Sequence, residues 1–125
     1  MTRVSFPDEL KEQFYKLRNE EDKHTETLAR LTAQLEGELK SRRTKFITRR
    51  EISTYSNDVP VYSQLGNAFL LSDVPTLVSQ IRKDLGKSDE KVLKIKQTGI
   101  YIVGQREDVR KQISDMIAPY MNNNQ

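Results

Sequence analysis

Two long runs of apolar residues at coiled-coil spacing, separated by one short strand-like block, constrain this chain more than any other feature of it. The block is residues 61–72, VYSQLGNAFLLS, and it follows Pro60 directly. A helix cannot continue through Pro60 and the Gly66-Asn67 pair undisturbed, so the chain is expected to reverse here and lay one arm along the other. A molecule built that way has no globular pocket. Its function is to be sought at its ends and along its seam rather than in a catalytic cleft.

The second arm carries the cleaner repeat. Val78, Ile81, Leu85, Val92, Ile95, Ile102, Val109, Ile113, Met116 and Tyr120 keep a three-four alternation if Ser88, Gly99 and Arg106 fill the intervening positions. Ten of these thirteen seam positions are apolar, over about six heptads, where three or four suffice for a coiled coil. Ser72-Asp73-Val74-Pro75 supplies a capping side chain and a proline in the first turn, which marks the entry. Pro119 and the polar tail, residues 120–125, mark the expected exit.

The first arm reads Leu10, Phe14, Leu17, Leu28, Leu31, Leu35, Leu39 and Phe46, with Glu21 and His24 on the seam in between. The two steps of four from Leu31 to Leu39 predict a slip that would locally unwind the supercoil. Ser5, Pro7 and Asp8 suit a capped helix start. A second capping pattern at Thr48-Arg49-Arg50-Glu51 predicts that the long helix stops near Lys45 and that a short helical turn precedes the loop. The chain is thus expected to be one domain: 6–47 a first coiled-coil arm, 48–60 a turn and loop, 61–72 a hairpin, 73–119 a second arm and 120–125 a tail. Arms of about 40 and about 44 residues, at about 1.5 Å rise per residue, can pair antiparallel along their length.

Composition fits a thin seam. Only 35% of the chain is hydrophobic and 31% is charged, too polar for a thick core but ordinary for a stem that buries one stripe. The absence of cysteine excludes disulfides, thiolate metal sites and cysteine nucleophiles. The first eight residues lack the apolar core of a secretion signal, and no apolar run reaches membrane-spanning length. A soluble protein of a reducing compartment is the expectation.

Within the block, Val61, Leu65, Phe69 and Leu71 are read as one face and Tyr62 and Leu70 as the other. Gly66-Asn67 is a two-residue turn pair of the glycine-first kind, suited to a type II′ hairpin. A lone two-stranded hairpin is marginal in water. With apolar groups on both faces and open edges, it is expected to pair with strands of other chains, so an obligate oligomer follows more naturally than a monomer.

A long arm, a Tyr-x-x-x-Gly-x-x-Phe hairpin (Tyr62, Gly66, Phe69) and a second long arm together resemble a β-type prefoldin subunit. The residues that carry the resemblance are Thr48, Glu51 and Ile52, then the stretches 57–62 and 66–71, while the architecture matches over essentially the whole chain. The resemblance implies a mainly α fold: a long antiparallel two-helix coiled coil with a single β-hairpin at the connecting end. It implies a hetero-hexamer of α-type and β-type subunits whose hairpins build β-barrels, with Val61, Tyr62, Leu65, Gly66, Phe69, Leu70 and Leu71 as the assembly handle. It further implies a cytoplasmic complex, with a nuclear role left open, that holds unfolded actin- and tubulin-like clients. Such complexes deliver them to the cytosolic group II chaperonin without ATP, with no enzyme activity, cofactor or metal.

Chain ends carry the other candidate surface. Phe6, Leu10, Phe14, Met116, Ile117, Tyr120 and Met121 gather apolar side chains at the tip farthest from the hairpin, and Ile117 lies one position off the seam. Frayed coiled-coil ends suit adaptable contact with non-native chains, and methionine favours such surfaces. The plainer reading is that Leu10, Phe14, Met116 and Tyr120 only zip the last seam layers.

Three further features carry weaker signals. Residues 40–50 hold six cations (Lys40, Arg42, Arg43, Lys45, Arg49, Arg50) with no acid, which suits a solvated helix end or an acidic partner better than nucleic acid. His24 beside Glu21 lacks a third ligand, so a polar seam layer is preferred to a metal pair. Gly99, on the seam, is read as allowing close helix approach or bending. The rival readings are a coiled-coil scaffold without client binding and an RNA- or ribosome-associated factor working through residues 40–50.

Overall fold

The structure is a computed structural model and describes residues 7–122. Its elements follow in the order α1 (Asp8–Ile52), β1 (Val61–Leu65), β2 (Ala68–Ser72) and α2 (Val74–Asn122). The helices have 45 and 49 residues. Among the described residues, no helix is long and apolar enough to cross a membrane.

Both helix starts are satisfied locally. The Pro7 carbonyl accepts from the amides of Leu10 and Lys11 at 3.0 and 3.1 Å, so Asp8 opens α1 where a carboxylate favours the dipole. Ser5 lies outside the described residues. At α2, Asp73 is the cap: its Oδ1 accepts from the Thr76 amide at 2.8 Å and its carbonyl accepts from the Leu77 amide at 3.1 Å. Hydrogen bonds from Thr76, first its side chain and then its amide, hold the Asp73 carboxyl below the usual carboxylate value.

The helix ends depart from expectation. α1 does not stop near Lys45 but runs to Ile52. Thr48 is no cap, because its hydroxyl donates back to the Thr44 carbonyl at 2.8 Å, a bond made from inside a helix. The chain leaves α1 only where the Ser53 and Thr54 hydroxyls close onto the carbonyls of Arg49 and Glu51, each at 2.6 Å. Likewise α2 passes through Pro119 to Asn122. Proline removes one intrahelical donor, and so close to the end only the last turn bears that loss.

The chain divides into two units, Met1–Ala33 with Lys96–Gln125, and Gln34–Ile95. In the first, Leu17, Val109 and Ile113 form a buried cluster with Phe14 and Met116 packed against it. Numbers rising on α1 meet numbers falling on α2, so the segments are antiparallel. A polar layer follows, in which Glu21 pairs with Arg18 of its own helix at 3.4 Å and with Arg110 of α2 at 3.5 Å. His24 is half-buried on the same seam.

In the second unit, Val74, Ile81 and Leu85 are buried, and Ser88 is the most buried side chain described, at 2% exposure. Its hydroxyl donates to Glu38 Oε1 at 2.8 Å, which satisfies a buried polar group directly. Arg42 reaches Asp89 at 2.6 Å beside it.

All thirteen seam positions read from the second arm are buried or half-buried, Ser88, Gly99 and Arg106 included. The first-arm slip is not there. After Leu35 the inward positions continue with Glu38, then Lys45, Arg49 and Ile52, while Leu39 and Phe46 stand 40% and 49% exposed. α2 keeps an unbroken alternation, so α1 stays in phase with it although that turns charged side chains inward. Of these, Glu38 accepts from Ser88 and the Arg49 guanidinium lies over the Phe46 ring.

Candidate assembly and client-binding surfaces

β1 and β2 pair antiparallel with Val61 opposite Ser72, Tyr62 opposite Leu71, Ser63 opposite Leu70, Gln64 opposite Phe69 and Leu65 opposite Ala68. Gly66 has a φ of 61° and is the only described residue with a positive value, so Asn67 is not left-handed. That is the type II′ pattern, whose twist matches the flanking strands. Because each strand of a two-stranded sheet has one partner, each leaves one edge unpaired.

The register corrects the reading of the two faces. Directly opposed residues share a face, and here every odd number on β1 meets an even number on β2. Tyr62, Phe69 and Leu71 therefore stand together with Gln64, while Val61 shares the other face with Ser63, Leu70 and Ser72. A strict alternation through the block does not hold, because a two-residue turn switches its parity. On the first face Tyr62, Phe69 and Leu71 are 63%, 66% and 67% exposed. On the second, Val61, Ser63 and Ser72 are half-buried and Leu70 is exposed. Three large apolar side chains thus stand exposed on one face of a sheet whose two edges are open.

The chain-end residues are placed differently. Phe6 lies outside the described residues. Leu10, Phe14, Met116, Ile117 and Tyr120 are all half-buried, and only Met121 is exposed. Phe14 and Met116 belong to the Leu17 cluster, and Phe14 also meets Tyr15 edge-on with ring centroids 6.0 Å apart. Leu10, Leu17 and Met116 line a shallow groove with Gln13, Gln112 and Asp115. Ile117, one position off the seam and for that reason a candidate for exposure, is partly covered.

Gly99 does not mark a close approach, since a methyl group built there would meet nothing within 4 Å. The missing side chain instead opens a notch lined by Leu28, Lys96, Gly99, Ile100 and Val103. Among the described residues no cluster of three or more His, Cys, Asp or Glu is arranged to hold a metal.

Several exposed apolar residues escaped the sequence reading: Leu93 at 56%, Ile100 at 75% and Val103 at 40% on α2, and Ile47 at 49% and Tyr55 at 54% near the end of α1. One signal was available for part of this set. Leu93, Ile100 and Val103 each follow a seam position by one residue, as Ile117 does.

No family model matches the sequence, and no curated protein matches it. Among solved structures the chain is similar to the crystal structure of the prefoldin beta subunit from Thermococcus strain KS-1, with a TM-score of 0.78 at 12% identity. The match covers 90% of this chain and 96% of that one. The chain has the prefoldin β-type fold: two long helices with one antiparallel hairpin between them.

Proposed function

We propose that this chain is a β-type subunit of a hetero-oligomeric, ATP-independent holding chaperone, joined to α- and β-type subunits through its hairpin. The observation that carries the reading is the face made by Tyr62, Phe69 and Leu71, about two-thirds exposed on a sheet with two open edges. Strands from other chains would pair with the open edges and extend the sheet that carries this face. The residues around the hairpin resemble those of eukaryotic prefoldin subunit 1, although Asn67 stands where that subunit usually carries a basic residue. On this reading the complex binds unfolded actin- and tubulin-like proteins in the cytoplasm and passes them to the group II chaperonin.

Client contact is assigned to the chain ends, with Met121, Phe6 and Ile117 as the leading groups. The half-buried state of Leu10, Phe14 and Met116 favours a second reading, a scaffold subunit without client binding, because those groups already serve the seam. Aggregation of citrate synthase in the presence of the assembled complex separates the two. Suppression that weakens with Phe6→Ser, Ile117→Ser and Met121→Ser, at unchanged complex mass, supports the chaperone. An intact complex that never suppresses aggregation supports the scaffold.

A further inference from the structure

The last part of α1 carries a second stripe that its own partner helix leaves unused. Leu39, Arg43, Phe46 and Arg50 follow at steps of four, three and four, so they share one helix face. Leu39 and Phe46 are 40% and 49% exposed, both arginines are exposed, and Ile47 beside them is 49% exposed. The intramolecular seam runs one position earlier, through Glu38, Lys45, Arg49 and Ile52. The same turns of helix thus hold two heptad stripes, of which α2 covers one.

Charge decides what the other stripe fits. Between Glu38 and Glu51 lie six cations and no acid. Arg42 is neutralised by Asp89, and the Arg49 guanidinium lies 5.9 Å from the Phe46 ring centroid. Lys40, Arg43 and Arg50 enter no ion pair among the described residues. The stripe continues at Arg50 into a shallow groove shared with Ile47, Glu51, Thr54 and Tyr55. Apolar groups at heptad spacing, flanked by unneutralised cations, complement a helix whose own apolar positions are flanked by acids. Nucleic acid is a poorer match: phosphates would answer the cations but give Leu39, Phe46 and Ile47 nothing apolar to bury against.

We propose that the α1 face formed by Leu39, Arg43, Phe46 and Arg50 docks an acidic amphipathic helix of a partner protein. None of these residues belongs to the hairpin or to the chain-end set, so the proposal stands whether or not the chaperone reading does. The partner supplies the apolar knobs that α2 does not, and its carboxylates set the orientation.

Fluorescence anisotropy of the full chain with three labelled probes tests this. Two are synthetic helices with identical leucine heptads, one flanked by glutamate and the other by lysine; the third is a single-stranded oligouridylate. The glutamate helix is expected to bind at least about tenfold more tightly than the lysine helix, and less tightly as salt rises. Arg43→Glu with Arg50→Glu should invert that preference, and Phe46→Ser should weaken the glutamate helix alone. Arg43→Gln, milder in its effect on the helix, should reduce the preference without inverting it. Equal binding of the two helices, a preference that survives the charge reversal, or tighter binding of the oligouridylate would each overturn the proposal.

Discussion

Glu38 and Leu39 sit side by side on α1, and it is the carboxylate that turns inward. The phase set by α2 brings Glu38 to Ser88, whose buried hydroxyl donates to it at 2.8 Å. Single residues also carry two of the sharper predictions. Nothing within 4 Å opposes a methyl group at Gly99, so Gly99→Ala is expected to raise stability by about 1 kcal/mol through helix propensity, read as a higher melting temperature. A lower melting temperature would mean that the notch must stay open. Asp73 carries a pH signature. Its folded-state carboxyl lies below the usual 3.8, so its contribution is full above that value and is lost as pH falls through the depressed folded value. Asn caps a helix comparably but does not titrate. Asp73→Asn should therefore match the parent near neutrality and lose less stability on acidification. Identical acid profiles would remove Asp73 from the account.

At the scale of elements, the seam of the second arm was legible because its three-four alternation never breaks, and every position read from it is covered. The first arm was legible only to Leu35. Beyond it, hydrophobicity favours Leu39 and Phe46, whereas the phase imposed by α2 favours Glu38 and Lys45. A single helix read alone contains no trace of that constraint. The hairpin's existence and turn type were legible in Gly66-Asn67, but the faces required the parity switch of a two-residue turn. Pro119 was read as a stop because a proline is costly in a helix interior, and one turn from the end the cost is small. The register makes a direct comparison possible. Leu85→Ala, at a buried seam position, should cost about 2–4 kcal/mol in a denaturant titration. Leu39→Ser and Phe46→Ser should each stay within about 0.5 kcal/mol of the parent. If the exposed pair costs as much as Leu85, the seam does run through Leu39 and the phase described here is wrong.

For the molecule as a whole, the balance of buried and exposed apolar groups matters most. Buried side chains form a single narrow stripe in each unit, while Tyr62, Phe69, Leu70 and Leu71 of the hairpin remain largely in water. Composition already pointed to a thin core, and the Tyr-Gly-Phe spacing already pointed to this fold. The chain ends were less legible, since packing and exposure at Ile117 and Met121 depend on how the last turns meet, which spacing does not encode. The central claim is that the hairpin is an unfinished sheet completed by other subunits. Sedimentation velocity on the chain co-expressed with an α-type prefoldin subunit tests it most directly, using the parent and a Tyr62→Ser, Phe69→Ser, Leu71→Ser variant. The parent is expected to sediment as one complex with its partner, and the variant to separate from it while keeping its helical circular dichroism. A variant that still co-sediments with the partner at the parent's mass, or a parent that stays a monomer beside it, would contradict the claim.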